Sequence, residues 1–340
     1  MYSIALITCR AFKVFLKIGF GSRPIFFRLE ISYLAKLRAM IKKLAQFLQD
    51  KSGITENRQR MAKLEQEVQR QNLFNLSFLQ LLTADVLPIN PSVSNAAVKR
   101  LQAQYGLKPF PLAIHKNDVM LAYHLYSNAP NILEAYESYF RVGIRAVKAL
   151  ADLAQAQGWQ PQKIMDFGSG YGRMSRFLPQ FFQAEIIPTE VKQQAMLFQE
   201  EHLGFKGVAH GSQPDDFKAP KVDLIIALSV FSHLPQALTE AWLKTLVSNL
   251  QEKGRLVFTY HPLEGYPHLA RDHGHYAFLT KNEDLLFPTS DDHLHDAQTY
   301  GVSFFTQAFF ERFFKEQGWS YQFLENQLAT TQKAFAVWKD

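Results

Sequence analysis

With 340 residues, 47% of them hydrophobic and 20% charged, the chain has a globular composition and room for one large domain or two. Its only cysteine, Cys9, excludes a disulfide framework, a cysteine zinc site and a multi-cysteine iron–sulfur cluster. The net charge of +6 is uneven: residues 1–70 hold 14 Lys/Arg against 5 Asp/Glu, a balance of +9, which leaves −3 for the remainder and speaks against a nucleic-acid groove there.

No acid precedes Glu30, while Arg10, Lys13, Lys17, Arg23 and Arg28 punctuate Phe12, Phe15, Phe20, Phe26 and Phe27. The apolar run Ile4–Cys9 is too short to span a bilayer, and the charge follows it, the reverse of a signal peptide. Three expectations stay open for residues 1–50: a basic amphipathic segment that contacts an anionic membrane or a protein partner, a helix packed on the rest of the chain, and an overextended N-terminus with Met40 as the alternative start. Residues 55–82 read as a helix capped by Thr55, with Met61, Leu64 and Val68 at helical spacing. Pro88, Pro91, Pro109 and Pro111 then break the chain. The expected division is a basic, mainly helical region over 1–110 and a second domain over 111–340, with its core at 135–340.

Tyr139 to Gln157 reads as a helix with Val142, Ala146, Ala149, Leu150 and Leu153 on its apolar face, ended by Gly158 and Pro161. Next comes Lys163-Ile164-Met165-Asp166-Phe167-Gly168-Ser169-Gly170-Tyr171-Gly172-Arg173. An apolar strand ends in an acid, three glycines follow at two-residue spacing, and Met174 to Phe182 looks helical. Such a turn is bare enough for a ligand to press on the backbone, beside the N–H groups of a helix start. A nicotinamide fingerprint would need a small residue where Arg173 stands. The second apolar run, Ala184 to Thr189, ends at Glu190, whose two oxygens suit the vicinal hydroxyls of a ribose. Gly207 to His210 is a short third strand. Val222 to Leu228 is a continuous apolar strand of the doubly covered kind, followed by Ser229-Val230-Phe231-Ser232-His233-Leu234-Pro235. Arg255 to His261 makes a fifth strand, Thr306 to Gln317 a helix with a phenylalanine stripe, and Trp319–Glu325 and Lys333–Trp338 a terminal hairpin.

On these residues, the D-x-G-x-G-x-G turn, the acid after the second strand and the Ser229–Pro235 segment, the chain resembles the class I S-adenosylmethionine-dependent methyltransferases over about residues 135–340. The resemblance implies an α/β, doubly wound, Rossmann-like seven-stranded sheet with an antiparallel last strand, beside an N-terminal helical extension. It places S-adenosylmethionine on Asp166, Phe167, Gly168, Ser169, Gly170, Gly172 and Arg173, with the acid and glycines at the methionine end, Glu190 at the ribose, Ser212 near the adenine and Ser229 beyond the fourth strand. Ser169 stands where such proteins commonly have Cys, and Glu190 where Asp is usual. Gln213 and a backbone carbonyl are the alternatives to Ser212 at the adenine.

Asp-Phe-Gly-x-Gly-x-Gly-Arg, Arg176 and Ser-Val-Phe-Ser-His-Leu together look like bacterial methyltransferases that often act near glycan assembly. That implies a cytoplasmic enzyme, peripheral to a membrane at most, with a polar small-molecule or glycan acceptor and no nucleic acid. His233 is the candidate base for an acceptor hydroxyl; packing or capping of the next helix is the competing role. Tyr139, Tyr171, Tyr266 and Tyr300 are the candidates to shape the acceptor site. The excursion 262–303 holds His268, His273, His275, His293 and His295 with Asp272, Asp291, Asp292 and Asp296. A polar lid is expected there rather than a metal site, since His-x-His on a loop has no fixed geometry. A catalytically silent binding module and an NAD-linked oxidoreductase are the alternative functions.

Overall fold

The computed structural model describes residues 4–9, 13–20, 23–28, 91–128, 131–266, 269, 274–279, 300–325, 328 and 332–339. The chain divides into two compact units, Met1–Val68 and Gln69–Asp340. In the first, β1 (Ile4–Cys9), β2 (Lys13–Phe20) and β3 (Arg23–Arg28) pair antiparallel in sequence order, with Ile4 opposite Ile18 and Leu16 opposite Phe27. The region read as mainly helical thus begins as a sheet. β-Branched and aromatic residues make up half of β2 and of β3, and only Gly21 and Ser22 separate the paired Phe20 and Arg23, a hairpin spacing. The helix expected over 55–82 lies outside the described residues.

Among the described residues, the second unit opens with α1 (Pro91–Tyr105), α2 (Val119–Asn128) and α3 (Ile132–Ala156). Pro91 suits a first helical position, where no N–H partner is needed. The Asn131 side chain accepts from Glu134 N at 3.0 Å and caps α3, so this helix starts seven residues before Tyr139. Its buried stripe is Tyr136, Tyr139, Phe140, Ile144, Val147, Leu150 and Leu153; Val142, assigned to the apolar face from sequence, is exposed. Ala97 and Leu101 of α1 join the same core, and Phe110 meets Phe140 and Phe177 edge-on at 5.6 and 4.9 Å. A boundary at residue 110 would cut through this packing.

Seven strands form the main sheet in the order β11-β12-β8-β7-β4-β5-β6. They are β4 (Lys163–Phe167), β5 (Glu185–Glu190), β6 (Val208–Ala209), β7 (Val222–Ala227), β8 (Leu250–Pro262), β11 (Ser320–Phe323) and β12 (Lys333–Trp338). β4 to β8 pair parallel, and β12 runs antiparallel between β8 and β11. The ends of the 262–303 excursion add β9 (Tyr276–Leu279) and β10 (Val302–Phe305), with β10 parallel to the end of β8.

Alternation along each strand feeds two cores. Ile164, Ile186, Leu224, Ile226, Val257, Ala334 and Ala336 face α1 and α3. Met165, Ile187, Ile225, Leu256, Phe258, Phe335 and Val337 face α6 (Gln236–Ser248) and α7 (Gln307–Gln317). The stripe Phe309, Phe310, Phe313 and Phe314 of α7 is buried as its spacing predicts, and Thr306 caps that helix by accepting from Phe309 N.

Candidate active site

β4, β5 and β7 carry their loops to one edge of the sheet. Gly168 N and Ser169 N both donate to Thr189 O, at 2.9 and 3.0 Å, which folds the glycine turn over the end of β5. Gln199 Nε2 braces it, donating to Ser169 Oγ at 2.8 Å and Gly170 O at 2.7 Å. Gly168 sits at φ +70°, and a Cβ there would lie 2.5 Å from Val230 Cγ2. Gly170 sits at φ +55°, yet a Cβ would meet nothing within 4 Å. The fold itself keeps Gly168 bare; at Gly170 the space is open for a ligand.

That space is a cavity of about 270 Å³. Of the residues proposed from sequence, Phe167, Gly168, Gly170, Glu190, Ser212, Ser229 and His233 line it. Asp166, Ser169, Gly172 and Arg173 do not; Ser169 serves inside the turn. Glu190 is held by three backbone donors: Gly170 N on Oε2 at 2.9 Å, and Val191 N and Lys192 N on Oε1 at 2.9 and 3.3 Å. Oε2, with a single donor, keeps acceptor capacity for a hydroxyl.

Asp166 differs from the expectation. It is buried, Ser175 Oγ donates to its Oδ2 at 2.6 Å, and it buttresses the turn from behind instead of forming the wall. Burial pushes its carboxyl up to about 6, with the Ser175 hydrogen bond opposing and the Glu190 charge reinforcing. The helix expected from Met174 is also shorter than read: a 3₁₀ turn, Ser175–Phe177, leads into α4 (Leu178–Phe181), because Pro179 cannot extend the backbone ladder of a longer helix.

Beyond Glu190, α5 (Gln193–Phe198) follows the second strand. The third strand is two residues long, and an aromatic wall stands after it. His210 stacks on Phe167 at 5.1 Å with planes 12° apart, and Trp242 closes on both. Burial lowers the His210 pKa. Trp242 Nε1 donates to Ser212 O at 3.1 Å, which fixes the backbone where an adenine contact was sought. Nothing in the sequence singled out Trp242, so this wall had no local sign.

His233 Nδ1 lies 2.9 Å from Gly301 O, and Gly301 N donates back to His233 O at 2.9 Å. A carbonyl can only accept, so Nδ1 carries the proton and Nε2 is the basic nitrogen. The ring stacks on Tyr300 at 5.1 Å with planes 11° apart. Burial, then the Glu190 charge, pushes the Tyr300 phenol up to about 12. Tyr171 and Tyr300 line the cavity. Tyr139 is fully buried and donates to Asp118, while Tyr266 packs on Phe304. Asn117, Asp118 and Met120 complete the wall from a segment that no sequence signal singled out.

Of the excursion's histidines only His275 is among the described residues; its Nδ1 is hydrogen-bonded to Thr306 Oγ1 at 3.1 Å. His268, His273, His293, His295 and the four aspartates lie outside them. Among the described residues no group of three or more His, Cys, Asp or Glu could hold a metal ion, and no helix is long and apolar enough to cross a membrane.

Residues 137–322 match a family model described as "Methyltransferase domain". The chain belongs to this family. A search of curated proteins finds no match. Among solved structures the chain is similar to magnesium protoporphyrin IX methyltransferase (ChlM) from Synechocystis PCC 6803 with bound SAH, at 18% identity over 60% of this chain and 87% of that one, TM-score 0.40. It is similar too to DesVI of Streptomyces venezuelae, at 14% identity over 60% and 92% of the two chains, TM-score 0.43. A third likeness is to an S-adenosylmethionine-dependent methyltransferase from Clostridium acetobutylicum, at 12% identity over 57% and 91%, TM-score 0.41. The methyltransferase's cofactor is S-adenosylmethionine. The bare cradle at Gly170, the oriented carboxylate of Glu190 and the aromatic wall of Phe167, His210 and Trp242 fit an amino-acid–nucleoside conjugate.

Proposed function

We propose that this methyltransferase methylates a hydroxyl of a polar small molecule or glycan, with His233 as the base. The observation that carries the reading is the anchored imidazole: Nδ1 on Gly301 O, the ring flat on Tyr300, in the wall of the cavity that the glycine turn opens into. S-adenosylmethionine supplies a methyl group already activated by its sulfonium, so no covalent enzyme intermediate is needed. The chain's own tasks are three. Gly168, Gly170 and Glu190 orient the donor, Val230, Leu234 and Leu238 help exclude water from the cavity, and His233 takes the acceptor proton on Nε2. An acceptor oxygen held about 3 Å from the methyl carbon, in line with the breaking bond, makes the transfer effectively unimolecular. A dry wall favours a transition state in which charge on sulfur disperses.

Labelled S-adenosylmethionine offered with a panel of sugars, phenols and amines tests this. Base-stable methyl ethers are the expected product; label found only on nitrogen acceptors would refute the hydroxyl assignment. The +9 balance of residues 1–70 supports a contact of residues 1–50 with an anionic membrane or a protein partner, at the cytoplasmic side. Sedimentation with phosphatidylserine vesicles checks it, and equal pelleting with neutral vesicles would sink the electrostatic account.

A further inference from the structure

Asn117, Asp118 and Met120 lie upstream of the stretch matched as a methyltransferase domain, yet they form part of the cavity wall. Arg176, 1% exposed, fastens their segment to the glycine turn. Its Nη1 donates to Pro111 O and Ala113 O, at 3.0 and 2.9 Å, while its Nε donates to Gly172 O at 3.0 Å. His115 stacks on Tyr171 at 4.4 Å with planes 5° apart, and Asn117 Nδ2 donates to Gln194 Oε1 at 3.2 Å. The segment is therefore fixed at the Gly170–Tyr171 end of the site.

Within it Asp118 is buried, and two donors aim its carboxylate: Tyr139 Oη on Oδ2 at 2.5 Å and Met120 N on Oδ1 at 3.1 Å. A carboxylate oxygen accepts more than one hydrogen bond, and a buried anion favours a cationic partner. Asp166, the acid that the glycine motif puts forward for this end of the donor, is turned onto Ser175 and away from the wall.

We propose that Asp118 anchors the α-ammonium group of the methyl donor. The assignment rests on reading this cavity as the donor's site. Tyr139 is then a positioning residue, since it acts through Asp118. Titration calorimetry of the full chain separates the possibilities with two probes: S-adenosylhomocysteine, which carries the ammonium group, and methylthioadenosine, which lacks the whole amino-acid end. Asp118→Asn keeps the side chain's shape and an acceptor oxygen. It should weaken S-adenosylhomocysteine by about tenfold to a hundredfold, the worth of one charge-assisted hydrogen bond, and leave methylthioadenosine unchanged. Tyr139→Phe should show the same selectivity with a smaller loss. An equal loss for both probes would make Asp118 structural, and no loss for either would make it an acceptor contact; both outcomes overturn the proposal. Failure of the unmutated chain to bind S-adenosylhomocysteine would instead overturn the donor-site reading on which it rests.

Discussion

Replacement of Asp166 by Asn should stabilise the protein without its cofactor, increasingly as pH rises from about 4 to about 6 and fully above that. The carboxyl moves from an ordinary 3.8 to about 6 on folding. Each unit is worth about 1.4 kcal/mol, so the ionised carboxylate costs the fold about 3 kcal/mol. The folded value is the higher one. The fold is therefore free of this cost below about pH 4, and stability is lost as pH rises through about 6. Asn removes the ionisation while its amide oxygen still accepts from Ser175 Oγ. Urea unfolding at pH 4 and pH 8, cofactor absent, should show equal stabilities at the lower pH and an advantage of about 2–3 kcal/mol for Asp166→Asn at the higher. A variant less stable than the parent at pH 8, or one with the same gap at both pH values, would refute the account of Asp166 as a desolvated buttress.

Gly170→Ala should cost only about 1–2 kcal/mol of stability from its left-handed backbone, because its Cβ meets no protein atom. Calorimetry should nonetheless show cofactor affinity falling steeply; unchanged affinity would mean the open space is not the donor's. His233→Ala should lower kcat by about 10²–10⁴ and leave cofactor affinity intact, with the acidic limb of the pH–rate profile flattened. An unchanged profile would leave His233 a helix-packing residue. Phe335→Ala, at a fully buried position between Phe258 and Phe310, should cost about 3–5 kcal/mol in denaturant unfolding, and a cost under 1 kcal/mol would contradict the packing described.

Sequence alone determined the strands of the main sheet and the glycine turn at its edge, because both are written in short-range patterns. Continuous apolar runs marked β4, β5, β7 and β8, the phenylalanine stripe marked α7, and the glycine spacing marked a turn that only residues tolerant of positive φ can make. Glu190 and His233 could be singled out because each sits a fixed step beyond a legible strand. What tertiary structure decided is which atoms face the cavity. Burial and the Ser175 hydroxyl turn Asp166 away. Arg176 reaches across more than sixty residues of chain to hold the segment of Asp118, whose two donors are a side-chain hydroxyl 21 residues away and a neighbouring backbone N–H. Trp242 becomes part of the aromatic wall only when α6 docks beside His210 and Phe167. Period and spacing record how one element presents its own face, but contacts between residues far apart in sequence depend on how those faces meet, and no local pattern encodes that.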